Sequence, residues 1–145
     1  MLQKFLILNL ILNLSSSVFA QRMVSISIDD VPNSYTYQVF GYKSSLLYTL
    51  DKLQIPVSIF INEGLIYKTD SVCKNFEVPN EWAKRDFVTL GNHTFNHTTY
   101  SDVGFENFKI DIEKGECMSR EMTNKYHKSL KYFRPPYNDL ENNAE

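Results

Sequence analysis

The sequence predicts an α/β fold built on a mainly parallel sheet. Strand-like and helix-like segments alternate along the chain, the connections between strands read as crossover helices, and polar clusters stand where strands end. Both a barrel and a doubly wound sheet satisfy this order, and both gather chemistry at the C-terminal ends of their strands.

Taken in order, Val24 to Ile28 alternates apolar and small polar residues as a half-buried strand does, and it runs into a loop at Asp29-Asp30-Val31-Pro32, where Pro32 stops further pairing. A polar, Tyr-rich connector follows. Ser44 is placed to cap a helix whose apolar positions Leu46, Leu47, Leu50 and Leu53 recur at helical spacing. Pro56 ends that helix, Val57 to Ile61 is the second strand, and Asn62-Glu63-Gly64 closes it. A less regular stretch from Tyr67 to Pro79 leads to a short helix around Glu81 to Arg85, and Phe87 to Leu90 reads as the third strand. One long helix is expected from about Phe105 to Tyr126, with Phe105, Phe108, Ile112 and Met122 on a shared face and Gly115 weakening it by roughly 1 kcal/mol relative to Ala. Leu130 to Phe133 is the fourth strand, and it stops at Arg134-Pro135-Pro136-Tyr137.

Composition narrows the class. The chain has 145 residues, 43% of them hydrophobic and 14% aromatic, with a net charge of -2, which suits one globular domain with a core. Lys and Arg are scattered singly, so there is no basic stripe for a nucleic-acid backbone, and nucleic acid is excluded as the expected partner. Residues 1–20 read differently from the rest. Lys4 precedes the apolar run Phe5 to Leu14, and Val18-Phe19-Ala20 resembles a signal-peptidase site. The expectation is a secretory signal cut after Ala20, an exported mature chain 21–145 (periplasmic or extracellular), and no stable membrane insertion, because the run is shorter than the roughly 18 residues of a membrane span. Cys73 and Cys117 are the only cysteines. Export permits them to pair, and two separate buried thiols fit the sequence equally well.

Three clusters fall at predicted strand ends: Asp29-Asp30, His93 to His97, and Arg134 to Tyr137. On a helical turn, His93 and His97 at i and i+4 reach one cation; as a bare pair they also fit a capped surface turn held by Asn92, Thr94 and Asn96. The adjacent carboxylates can divide two jobs, one binding metal and the other handling protons. One Asp oxygen with two His nitrogens leaves coordination positions open on zinc, as catalytic zinc sites do.

With "SIDDVP", "LGNHTFNH" and "FRPPYN" in this order, the sequence resembles the polysaccharide deacetylases of carbohydrate esterase family four, the NodB homology domain, from about Val24 to Tyr137. The resemblance implies a distorted (β/α) barrel of the polysaccharide deacetylase type, with about four βα units present in this chain. It implies metal-dependent hydrolysis of N-acetyl groups on a peptidoglycan-like or chitin-like glycan. It implies Asp30, His93 and His97 as ligands of Zn2+ or another divalent transition metal, and Asp29 as the base. Arg134 would orient the base, and the Tyr137 backbone N–H would help hold the oxyanion. Tyr35, Tyr37 and Tyr42 have the shape to stack on sugar rings, although packing is the commoner use of such residues.

Two departures from the family pattern stand out. Val31 and Asn138 occupy places where the family usually has glycine. After Tyr137 only "NDLENNAE" follows, whereas the family continues with further βα units, a second aspartate motif and a general-acid histidine. His127 is the one other histidine and sits away from any predicted strand end. The expectation is an N-terminal part of the domain, with residues 21–145 alone folding poorly and releasing little acetate. Hydrolysis of another amide or of an acetyl ester stands as the alternative chemistry, and a non-catalytic exported metal- or glycan-binding fragment as the alternative class.

Overall fold

Proline and polar residues cut the chain into apolar runs that pair side by side, and the resulting sheet is what carries the site. The computed structural model describes residues 23–32, 46–68 and 72–139. Its strands are β1 (Ile26–Val31), β2 (Val57–Ile61), β3 (Val88–Asn92) and β4 (Leu130–Phe133). They lie in the order β1-β2-β3-β4 and every neighbouring pair is parallel. The described strands follow sequence order with no reversal, which is barrel-like winding and not the switch point of a doubly wound sheet.

The helices are α1 (Leu46–Leu53), α2 (Gly64–Tyr67), α3 (Val72–Ala83), α4 (Tyr100–Lys114) and α5 (Cys117–Lys125), followed by a 3-10 turn at Pro136–Asn138. The core lies between helices and sheet. Leu47 and Leu50 of α1, Val78, Trp82 and Ala83 of α3 and Met122 of α5 cluster with Val57, Ile59 and Ile61 of β2 and Val88 and Leu90 of β3. Each such side chain taken from water is worth about 1.5–3 kcal/mol, so this cluster is the main force fixing the strands that bear the site.

A second device joins β2 to α5. Glu63, fully buried just past the end of β2, accepts the N–H groups of Met118 (3.1 Å) and Ser119 (2.6 Å) in the first turn of α5. A carboxylate there satisfies orphan donors and meets the positive end of the helix. Burial pushes its pKa above the ordinary 4.5, opposed by those two backbone bonds.

Several expectations change. β1 continues through Asp29, Asp30 and Val31, with a bulge between Ile28 and Val31, so the two aspartates lie in the strand's last residues and not in a loop. The irregular stretch before Pro79 is largely α3, which runs through that proline because Asn75, Val78, Pro79 and Trp82 are buried against the rest of the fold. The single long helix is two, α4 and α5, parted at Gly115; Phe108 and Met122 are buried as expected, but Phe105 is 62% exposed, since Gly104 leaves helical geometry beside it (φ 71). Cys73 and Cys117 are both free and exposed, neither paired nor buried. Ser44, the three connector tyrosines, the expected signal and most of the final "NDLENNAE" lie outside the described residues. Among the described residues no helix is long and apolar enough to cross a membrane.

Candidate metal centre and its base

The bulge in β1 separates the two aspartates. β1 spends two residues where β2 spends one, and Asp30 takes a left-handed conformation (φ 56), so neighbouring carboxylates serve different partners. Asp29 turns to Arg134, whose Nη1 donates to Asp29 Oδ1 at 2.7 Å and to Ser27 Oγ at 2.9 Å. Asp30 turns to the histidines. Its Oδ1 lies 3.1 Å from His97 Nε2 and 3.7 Å from His93 Nε2.

Arg134 is aimed by packing. Its guanidinium carbon sits 4.1 Å above the centre of the Phe60 ring, a cation–π contact. Phe60 pairs in register with Gly91 of β3, and a Cβ on Gly91 would meet the Phe60 ring at 2.6 Å. Glycine before the histidine loop is therefore what lets the ring lie flat and support Arg134. The Arg134 N–H donates to the Asn92 carbonyl (3.0 Å), tying the end of β4 to the end of β3.

The histidines meet by a route the sequence did not suggest. Residues 93–97 form no helical turn; Thr94 (φ 64) and His97 (φ 60) are left-handed, and the loop curls until the two imidazole centroids are 4.9 Å apart. The residues that would have capped a surface turn are the loop's scaffold. Asn92 Oδ1 accepts the Thr94 N–H (2.7 Å), and Thr94 Oγ1 accepts the His97 N–H (3.1 Å). The turn starts in the interior, with Asn92, His93 and Thr94 buried, and reaches the surface at Asn96. Asn62, immediately after β2, donates from Nδ2 to the His93 and Thr94 carbonyls (3.3 Å each).

The donor set fits a divalent cation. His93 Nδ1 lies 2.8 Å from the Arg134 carbonyl, which only accepts, so Nδ1 carries the hydrogen and the lone pair of the neutral ring is on Nε2. That lone pair faces a carboxylate oxygen. Two acceptors facing each other call for a positive charge between them. One ligand atom from each of Asp30, His93 and His97 can be chosen so that all lie within 4.8 Å of one another. The separations of 3.1 and 3.7 Å bracket the about 3.3 Å between ligand atoms held tetrahedrally at zinc's usual bond lengths of about 2.0–2.1 Å. A carbonyl behind the imidazole is the customary support for a ligating histidine.

Tyr137 completes the rim. Its ring meets His97 edge-on at 4.9 Å between centroids, and its backbone is left-handed (φ 57). Pro135 and Pro136 have no N–H, and the turn's own bonds use the N–H groups of Asn138 and Asp139, so the Tyr137 N–H is the first backbone donor of the turn. Asn138 is also left-handed (φ 56), a conformation asparagine adopts more readily than most residues, while Val31 pairs with Ile61 as an ordinary strand residue. Among the described residues His127 lies in the turn before β4, at the opposite end of that strand from Arg134.

All six candidate residues, Asp29, Asp30, His93, His97, Arg134 and Tyr137, thus gather at the C-terminal ends of β1, β3 and β4. Ser27 and Phe60 carry no local signal of a role at the site, whereas Asn62, a polar residue directly after an apolar strand, does. The polysaccharide deacetylase family model matches residues 17–145. The chain belongs to the polysaccharide deacetylase family. No curated protein sequence matches it. Among solved structures, this family member is similar to the peptidoglycan deacetylase PdaC from Bacillus subtilis (TM-score 0.58, 16% identity, 85% of this chain and 53% of that one). It is similar also to a family 4 carbohydrate esterase from Streptomyces lividans in complex with acetate (TM-score 0.56, 22% identity, 81% and 53%). A third is a CE4 family pseudoenzyme from Bacillus anthracis (TM-score 0.60, 15% identity, 85% and 38%). The chain therefore spans about half the length, or less, of these structures. With a pseudoenzyme among them, likeness of fold does not decide activity; the residues of the site do.

Proposed function

We propose that this deacetylase-family chain is exported and hydrolyses N-acetyl groups of a peptidoglycan-like or chitin-like glycan with the help of zinc or another divalent transition metal, releasing acetate. The observation that carries the reading is the pairing of two separate units at one strand end: a two-His, one-Asp donor set, and beside it an aspartate held by an arginine.

Asp30, His93 and His97 would hold the metal. When bound, the metal polarises the acetyl carbonyl and makes water a better nucleophile at neutral pH. Asp29 takes the proton of the attacking water as its oxygen bonds to the carbonyl carbon. Arg134 holds Asp29 oriented for that transfer. The Tyr137 N–H donates to the oxygen on which negative charge develops. The C–N bond then breaks, the amine leaves with the proton that Asp29 took from water, and acetate remains.

The test separates water activation from protonation of the leaving group. Para-nitrophenyl acetate expels a phenolate that needs no proton, so the metal-loaded chain should hydrolyse it, and chelation or Asp29→Asn should abolish most of that rate. Acetate release from an N-acetylglucosamine oligomer is followed in parallel. Ester turnover unaffected by chelation and by Asp29→Asn would sink the proposal. Ester turnover without amide turnover would show that this chain activates water but does not protonate a leaving amine.

A further inference from the structure

We propose that Asp111, on α4, is a positioning residue for the metal centre, holding the histidine loop in the one shape that presents His97 to the ion; the inference rests on the ligand reading above. Asp111 is 4% exposed, and its carboxylate is directed at the loop. It accepts the Asn96 N–H on both oxygens (3.0 and 3.1 Å), the Asn96 Nδ2 on Oδ1 (2.6 Å) and the Thr98 hydroxyl on Oδ2 (3.3 Å). Its backbone carbonyl accepts the Phe95 N–H (3.1 Å). Residues 95, 96 and 98 are therefore all tied to this one residue, and His97 is suspended between them.

His97 needs such support. A left-handed conformation is disfavoured for a non-glycine residue and persists only where the surroundings over-determine it. An ionised carboxylate taking backbone N–H groups forms strong, directional bonds, and a buried one fully occupied by donors has no free lone pair to offer a metal. Asp111 stands outside the candidate ligand cluster, as a supporting residue should. A helix acid that merely stabilised the fold would have no reason to spend each of its side-chain bonds on the residues flanking a ligand.

The experiment uses the full chain and zinc itself. Affinity is measured by chelator competition on the parent, Asp111→Asn, Asn96→Ala and Thr98→Val, and amide exchange is measured without metal. Asp111→Asn places an NH2 where an acceptor stood, and loss of support behind a metal ligand typically lowers affinity about 10- to 100-fold. The expected result is a loss of that size, with faster exchange at Asn96 and His97 and unchanged exchange at Leu90 in β3. Asn96→Ala and Thr98→Val, at exposed and half-buried positions, each break a bond to Asp111 with little risk to folding, and each should weaken zinc several-fold if the idea holds. A stabilising role alone would shift melting and leave the affinity of the folded variants at the parent value, which would overturn the proposal. Were the parent itself to bind no zinc, the ligand reading would fall first and this inference with it; parent binding with unchanged variants removes only the role of Asp111.

Discussion

Gly115→Ala sets the sequence and the structure against each other. Judged by helix propensity, Ala at this position gains roughly 1 kcal/mol, and the backbone (φ -74) accepts it. The packing says otherwise. A Cβ there would sit 2.6 Å from the Thr94 carbonyl carbon, 2.9 Å from the Phe95 nitrogen and 2.9 Å from the Thr94 oxygen. All three are backbone atoms of the histidine loop, so relief requires moving that loop by about 0.8 Å to restore ordinary contact near 3.4 Å. Overpacking of this kind costs about 1–3 kcal/mol, and with no flexible side chain to yield, the upper part of that range applies. Because Gly115 is the C-cap of α4 and not a helix-interior residue, the propensity gain does not apply in full and the net loss is about 2–3 kcal/mol, a fall in melting temperature of roughly 4 °C for each kcal/mol in a chain of this size. Thermal and urea unfolding of parent and variant measure it, and zinc affinity should fall with it. A variant as stable as the parent or more so would show that Gly115 acts through propensity and that the loop is not held against it.

Other expectations concern charge. Arg134→Lys keeps a cation but loses the plane that stacks on Phe60 and so sets Nη1 between Asp29 and Ser27; turnover should fall about 10²-fold, the usual effect of misplacing a reacting group by 1 Å, while bound metal is unchanged. Loss of metal with the rate would place Arg134 in the ion's support instead. Glu63 has a folded pKa raised above 4.5, so between 4.5 and that raised value the folded chain holds more protons than the unfolded one, and stability contributed by Glu63 is full below 4.5 and lost as pH rises through the folded pKa. Melting curves should therefore show the parent gaining on Glu63→Gln as pH falls from neutrality toward 4.5; parallel curves would contradict the linkage.

The strands were legible because their signals are local. Pro56 and the apolar run after it fix β2, Arg134-Pro135-Pro136 ends β4, and the six candidate residues all lie at or just past strand ends. What escaped depends on contacts distant in sequence. Pro79 reads as a helix breaker, yet burial of Val78 and Trp82 carries α3 through it. Spacing of four suggested a helical turn for His93 and His97, but the bonds of Asn92, Asn62 and Asp111 curl a loop instead. Acidic residues in a sequence look like solvent-facing charge, and nothing local marks Glu63 and Asp111 as buried acceptors.

Zinc content tests the central claim most directly. Elemental analysis of purified, folded parent, Asp29→Asn and His97→Ala should find one zinc per chain in the first two, because Asp29 bonds Arg134 and stands apart from the donor cluster, and little in the third, which has lost one of three ligands. Stoichiometric zinc in folded His97→Ala, or none in the parent, would contradict the account.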